Sequence, residues 1–425
     1  MKKKKSQSWT KIILSQLHLW LGLVAGLVVT LSMLGAAVYV WEEELTHWYY
    51  NDYVYVAKIG DRRMMPSELF DVVDLAFPKE NFTSVKIHRD PRMSVVFQKF
   101  KRAENSGWTW WSTVDTYKRI YVDPYEGRVL GVVDLRYDWI QLCRRLHQNL
   151  LLEPKVGELT VGIAALIMMI LALSGLYLWW PKNKRMLKNR LKIKWKARWK
   201  RVNWDVHSVG GFYTHILVLF FATTGLVWTF SWWTDGIYRI LGNDPEEVFV
   251  RPEPPHFSVE DFDNSLDKAW ADVLTKRVGW TGARLIRPGA DKDEGLISVT
   301  LDFVGIGSAW DTWDRYAYHP DTGEPFWDHV HEEKLLGEKW RNSNYAMHVG
   351  EIYGWPTKVI AFLSALFFAS LPITGFLIWW GKKKKKKKPA KRRSQVKKEP
   401  KKAMETMAQM PRELASQSTD SEKVP

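Results

Sequence analysis

Apolar residues gather into four long runs, 12–40, 156–180, 205–233 and 352–380, and charged residues dominate much of the chain between them. Each run is at least as long as the roughly 18 to 20 apolar residues that cross a hydrocarbon core, and each has almost no fixed charge in its middle. The first is far longer than the ~7 to 15 residue apolar core of a cleavable signal, so a retained helix is expected. Between the runs the period changes. "TSVKIHR" (83–89) and "GLISVTL" (295–301) alternate as half-buried strands do. "IYVDPYEGRVLG" (120–131) and "YAYHPDTGEPFW" (316–327) each set a proline turn and a glycine between two strand-like stretches, the signature of a hairpin. Helix candidates at 66–77 and 258–275 precede the two hairpins.

The pattern predicts an α-helical membrane protein: a four-helix transmembrane bundle from a duplicated unit, with two small α+β domains outside the membrane. Its segments are a basic N-terminus (1–11), helix 12–40, domain 41–155, helix 156–180, loop 181–204, helix 205–233, domain 234–351, helix 352–380 and tail 381–425. Charge orients them. Loop 181–204 holds eleven Lys/Arg and no Asp or Glu, and the tail opens with "KKKKKKK" (382–388). Basic flanks stay on the cytoplasmic side, so both termini are expected there. Stretch 42–155 has seventeen basic and seventeen acidic residues, and 234–351 has twelve against twenty-three, which predicts two exported domains. The formal charge of +15 then describes a cytoplasmic rim facing anionic lipid rather than a nucleic-acid site. Beyond residue 389 the tail has little apolar content and is expected to be disordered.

Cys143 is the only cysteine, which excludes an intramolecular disulfide, a thiolate metal cluster and covalent haem attachment. No HExxH, GxSxG or P-loop pattern occurs. What stands out is repetition. "LHQNLLLEPKVGELTVGIAALIMMILALSGLYLWWPKNK" aligns with "MHVGEIYGWPTKVIAFLSALFFASLPITGFLIWWGKKK", placing His147 against His348 and Gly175 against Gly375. More loosely, "LHLWLGLVAGLVVTLSMLGAAVYVW" aligns with "VHSVGGFYTHILVLFFATTGLVWTF", placing His18 against His207 and Gly35 against Gly225.

These four histidines form one pair at each membrane face: His18 with His207 on the cytoplasmic side, His147 with His348 on the exported side. An ionisable group in a span faces the bundle and a partner, and neutral imidazole is a good axial ligand for haem iron. Two bis-histidine b-type haems are one reading; a quinone or proton path and plain scaffolding are the others. His215, eight residues past His207, has no counterpart in the first span and is a secondary candidate, as a hydrogen-bond partner or a substitute ligand. Arg144, Arg145 and Arg341 precede the exported-side histidines and suit either haem propionates or lipid headgroups. Trp108, Trp110 and Trp111 suit an aromatic ligand or core packing, and "DHVHEE" (328–333) a metal or a solvated acidic loop.

The paired elements "QLHLWLGLVAGL" (16–27), "LHQNLL" (146–151), "DVHSVGGFY" (205–213) and "MHVGEIYG" (347–354), with the endings SGLYLWWPK and TGFLIWWGK, resemble the PepSY-associated transmembrane helix family of bacterial inner-membrane proteins. The resemblance spans about residues 10 to 385. It implies four helices and two PepSY-like periplasmic domains. In members that reduce ferric siderophores it also implies two non-covalent haems, whose histidines fall on His18, His147, His207 and His348. The expected function is therefore a di-haem b oxidoreductase of the inner membrane, passing electrons to a periplasmic ferric siderophore or other Fe(III) chelate. The cytoplasmic segments are short and basic and hold no flavin or nicotinamide domain, so the donor is expected to be a quinol or a separate reductase. The rival readings are a PepSY-based peptide- or protease-binding anchor and a membrane subunit of a larger redox or transport complex.

Overall fold

The structure, a computed structural model, describes residues 8–105, 107–181, 183–256, 262–289, 295–304 and 311–386. Its main helices are α1 (Trp9–Tyr39), α2 (Pro66–Ala76), α3 (Trp139–Asn149), α4 (Pro154–Trp179), α5 (Trp199–Leu226), α6 (Phe262–Lys276), α7 (Leu336–Val349) and α8 (Trp355–Lys386). Four of them, α1, α4, α5 and α8, are long and apolar enough to cross a membrane. Large apolar side chains such as Val24, Leu27, Ile170, Leu173, Ile216 and Leu363 stay exposed on these four helices, as a lipid-facing surface requires. Contacts divide the chain after Ile378, and the described part of the second unit is the last stretch of α8, Trp379 onward.

The strands are β1 (Ser84–His88), β2 (Val95–Arg102), β3 (Val114–Val122), β4 (Val129–Asp134), β5 (Gly282–Ile286), β6 (Ile297–Val304), β7 (Asp311–Tyr318) and β8 (Pro325–His329). Both expected hairpins form, between β3 and β4 and between β7 and β8. Their glycines take left-handed backbone, Gly127 at φ +66° and Gly323 at φ +65°, a conformation other residues reach only with strain. Of the two helix candidates, 66–77 is α2, and 258–275 is α6 from Phe262, its first residues lying outside the described ones.

The α+β units of the two halves share one continuous antiparallel sheet, ordered β4-β3-β2-β1-β5-β6-β7-β8. β1 and β5 join the halves, with Val85 opposite Leu285. Each would otherwise be an exposed edge, an open template for pairing with other chains. Joining them also merges two apolar faces. Val85, Phe97, Leu285 and Val299 are fully buried in one core beneath α2 and α6, together with Phe70, Val73, Leu266 and Val273. Each such side chain contributes about 1.5–3 kcal/mol. The Asp267 carboxylate of α6 accepts from the Ser67 amide at 3.0 Å and its hydroxyl at 2.6 Å, tying the helices across the junction.

Two short turns set the ends of the bundle. After α3 the chain passes through Leu150 and Leu151 at φ 56° and 61° before α4, and after α7 through Gly350 at φ 83° before α8. His147 and His348 thus occupy the last turns of α3 and α7. Nearby, Lys358 of α8 is buried and bonds Glu44 at 2.8 Å and Glu351 at 3.4 Å, fastening the chain just past α1 to the start of α8.

The central pairing is testable with cysteines. Ser84→Cys with Ile286→Cys, directly opposite in the register and placed in a Cys143→Ser background, is expected to oxidise to a cross-link that neither single replacement forms. Cross-strand Cα distances of about 4.5–5.5 Å lie within disulfide reach. Absence of the mobility shift on a non-reducing gel would contradict the joined sheet.

Candidate cofactor site

Helix packing brings the four repeat-related histidines into two pairs. The rings of His147 and His348 lie 5.9 Å apart, centre to centre, where the bundle meets the sheet. Those of His18 and His207 lie 6.3 Å apart at the opposite end. His18 and Ser32, which touches His147, are fourteen positions apart on α1, or about 21 Å at 1.5 Å per residue. His207 lies in a π-helical stretch, Val206–Gly210, inside α5. Such wide turns are rare and recur at functional positions.

Each imidazole is held in the same way. Nδ1 meets a hydroxyl: His18 with Ser174 at 3.0 Å, His207 with Thr374 at 2.9 Å, His348 with Thr224 at 2.9 Å and His147 with Ser32 at 3.0 Å. A hydroxyl has one proton to donate. Each of these four donates it to a main-chain carbonyl: Ser174 to Leu171, Thr374 to Ser370, Thr224 to Phe220 and Ser32 to His147. The hydroxyl must therefore accept from the ring, which places the imidazole proton on Nδ1. Nε2 is left with its lone pair, the state in which histidine ligates metals.

Glycines complete three of the seats. A Cβ on Gly175 would come within 3.1 Å of His18 Cε1, one on Gly225 within 3.1 Å of His348 Cε1, and one on Gly375 within 3.3 Å of His207 Cε1. The repeated Ser/Thr-Gly dipeptide thus offers an acceptor and a bare backbone side by side. For His147 the glycine acts one step removed. A Cβ on Gly35 would lie 2.5 Å from the Cys143 carbonyl and 2.9 Å from the His147 amide, so α1 lies directly against α3.

Two imidazole–metal bonds of about 2.0–2.1 Å, with about 1.1 Å from each donor nitrogen to its ring centre, require centres roughly 6.2 Å apart. Both pairs meet this spacing. Among the described residues no group of three or more His, Cys, Asp or Glu is placed to hold a bare ion. Two imidazoles instead suit a metal that brings its own equatorial donors, as in haem. A cavity of about 460 Å³ adjoins the His147/His348 pair, with apolar walls that include Val29, Met33, Met168 and Phe221. That volume is within the range of about 300–1,000 Å³ for ligand pockets.

The arginines separate. Arg144 and Arg145 line this cavity, and the Nε of each is buried without a hydrogen-bond partner among the described residues. Burial, and then the Arg144 charge, hold Arg145 below the usual guanidinium range, and its Cζ lies 4.1 Å from the centre of the Trp110 ring. Arg341 instead lines a different cavity, against the sheet, with its Cζ 5.6 Å from the Trp228 ring. Trp228 in turn lies 5.2 Å from the His348 ring.

His215 stands apart from both pairs. Its Nδ1 bonds the Phe212 carbonyl of its own helix, and its ring stacks on Phe212, which stacks on Trp179. Trp110 is buried beside Tyr117, Trp108 is exposed and Trp111 partly so. In "DHVHEE", His329 Nε2 meets Glu338 at 3.2 Å, and the His331 amide donates to Asp314. The feature that sequence reasoning missed is the hydroxyl set. Ser174, Thr224 and Thr374 each precede a glycine already aligned in the repeat, so the signal was present.

Replacing a hydroxyl keeps the ring but removes one of its acceptors, since the Phe221 carbonyl also bonds His348. Thr224→Val is expected to lower stability by about 0.5–1.5 kcal/mol, the net worth of one hydrogen bond, read as a drop in the thermal midpoint of the purified protein. Thr214→Val, where the hydroxyl bonds only its own helix at Gly210, is expected to cost less. Equal losses would remove the special role of the imidazole contact.

Comparison with curated proteins finds no match. Residues 15–382 match the pattern of the PepSY-associated TM region. That match takes in all four histidines, their four hydroxyl partners and the sheet between them, and the chain therefore belongs to the PepSY-associated transmembrane family.

Proposed function

We propose that this multi-pass membrane protein resides in a bacterial inner membrane, holds two haem b groups, and passes single electrons outward to an Fe(III) chelate such as a ferric siderophore. The donor is a quinol or a separate reductase on the side of the basic termini. The observation that carries this reading is the pair of facing histidines at each end of the bundle, every one with its Nδ1 against a hydroxyl. Haem b, when bound, supplies a one-electron couple at each end.

The chain's own residues do the holding. His18 and His207 would ligate one group, His147 and His348 the other, each ring beside its hydroxyl and three of them also against a glycine. Arg144 and Arg145 are placed to meet propionates, which would give their buried Nε atoms a partner. Trp228 and Phe221 pack edge-on against His348 and help keep water from it. No residue need donate or remove a proton to carry an electron, in keeping with the lack of a hydrolytic motif.

The test is haem stoichiometry. Pyridine haemochrome analysis is expected to give two haem b per chain. His348→Ala or His147→Ala should leave one, His18→Ala or His207→Ala should leave the other, and His215→Ala should keep both. Protein with no Soret band after haem supplementation would overturn the reading in favour of a peptide-binding anchor.

A further inference from the structure

The two halves of the sheet treat their second face differently. Lys86 of β1 is directly opposite Val96 on one side and Arg284 on the other, and Val96 is opposite Tyr121. Directly paired residues share a face, so Arg284 and Tyr121 lie on the same side of the sheet. In the first half that side is filled by a second apolar core of Tyr117, Tyr121, Val133, Trp110 and Val54. In the second half it opens into a cavity of about 1290 Å³.

This cavity is strongly basic. Arg284, Thr300 and Arg315 form a row of cross-strand neighbours along its floor. Arg251 and Arg341 line it as well, while Arg287, also on its wall, is engaged by Asp74 at 2.5 Å. Asp302 is the one carboxylate among the described lining residues; burial pushes its pKa up, and the charges of Lys86 and Arg284 pull it back down. Arg284 and Arg315 make no ion pair with any described carboxylate. Burial first, and then Arg251 and Arg284, lower the pKa of Arg315, as expected where positive charges press on one another. Arg251 and Arg284 are exposed while Arg315 is half-buried, and an entering anion would relieve the repulsion among them.

We infer that this cavity binds a polyanionic, carboxylate-bearing ligand. Resting on the function proposed above, that ligand is the Fe(III) chelate itself. Guanidinium forks match carboxylates in plane and in spacing, and the Ser298 and Thr300 hydroxyls on the same wall add donors. The cavity is larger than one small anion needs and has room for a chelate. It is also connected to the histidines: Arg341 lines it, lies against Trp228, and Trp228 packs on His348. Each turnover puts one electron, drawn from the quinol or reductase, on the bound metal. Fe(III) becomes Fe(II), and no carbon bond forms or breaks.

Isothermal titration of the full chain with gallium(III) citrate, a redox-inert stand-in, reads the site without electron transfer. Saturable binding is expected, weakened at least tenfold by Arg284→Gln and by Arg315→Gln and reduced by added salt. Arg284 is exposed, so its variant is expected to fold, with circular dichroism as the check. No binding, or unchanged binding in both folded variants, would overturn the inference. So would retention of phosphatidylglycerol by the wild type, lost in the variants, without citrate binding; the site would then hold a lipid headgroup. A protein that carries haem and reduces a cationic Fe(III) chelate but ignores gallium citrate refutes this inference alone. One that binds gallium citrate yet takes up no haem refutes the electron-transfer reading and leaves the anion site standing.

Discussion

A hydroxyl that has already given its proton to a carbonyl can only accept, and this constraint organises the bundle. Four such hydroxyls each hold the Nδ1 of one histidine. The bonds run from α1 to α4, α1 to α3, α5 to α8 and α5 to α7. Each therefore joins two helices as well as fixing a tautomer, and the histidine pairs then join the α1 set to the α5 set. Van der Waals packing and hydrogen bonds, rather than hydrophobic exclusion, must hold helices together in lipid. The groups that hold these helices are the same ones that prepare Nε2 as a ligand. Stability and chemistry are for that reason hard to separate here by mutation of the hydroxyls alone.

The sheet solves a spanning problem. His147 follows β4 and His348 follows β8, the opposite edges of an eight-stranded sheet. At about 4.8 Å per strand those edges stand roughly 34 Å apart, yet the two rings meet at 5.9 Å. α3 and α7, of 11 and 14 residues, supply about 37 Å between them at 1.5 Å per residue. Two helices returning from the two edges are long enough to meet near the middle. Had the halves formed separate domains, nothing in the sheet would fix that meeting. The β1–β5 junction thus bears on the geometry of the upper histidine pair.

Much of this was legible in the sequence because it is local or repeated. The apolar runs gave the four long helices within a few residues at most ends, the proline and glycine turns gave both hairpins, and the repeat aligned the four histidines that the structure pairs. What was not legible is contact between distant residues. Strand 84–88 pairs with 282–286, a pairing that alternation cannot reveal because either strand could have been an edge. His215 illustrates the converse. A histidine in a span is a reasonable candidate from sequence, but its ring turns toward Phe212 and its own helix carbonyl, an environment set by side-chain direction rather than spacing. The arginine row was invisible for a similar reason: Arg284 and Arg315 are thirty-one positions apart and meet only through Thr300 between them.

Repetition and divergence in the two halves follow different rules. The Ser/Thr-Gly seats recur because the same ring must be held at the same depth, and a Cβ in place of hydrogen would displace it. The second face of the sheet carries no such demand. One half fills it with tyrosine and tryptophan, which makes a firm support above Arg145 and the His147 cavity. The other leaves it open and lines it with five guanidinium groups, of which Arg287 is paired with Asp74. A closed aromatic core removes more apolar area from water than an open face does, so the first half's arrangement is the more stabilising one. That the open face is the one reaching His348 through Arg341 and Trp228 gives the asymmetry a direction: one half of the sheet is closed by aromatic packing, and the other keeps a basic cavity linked to His348 by that pair.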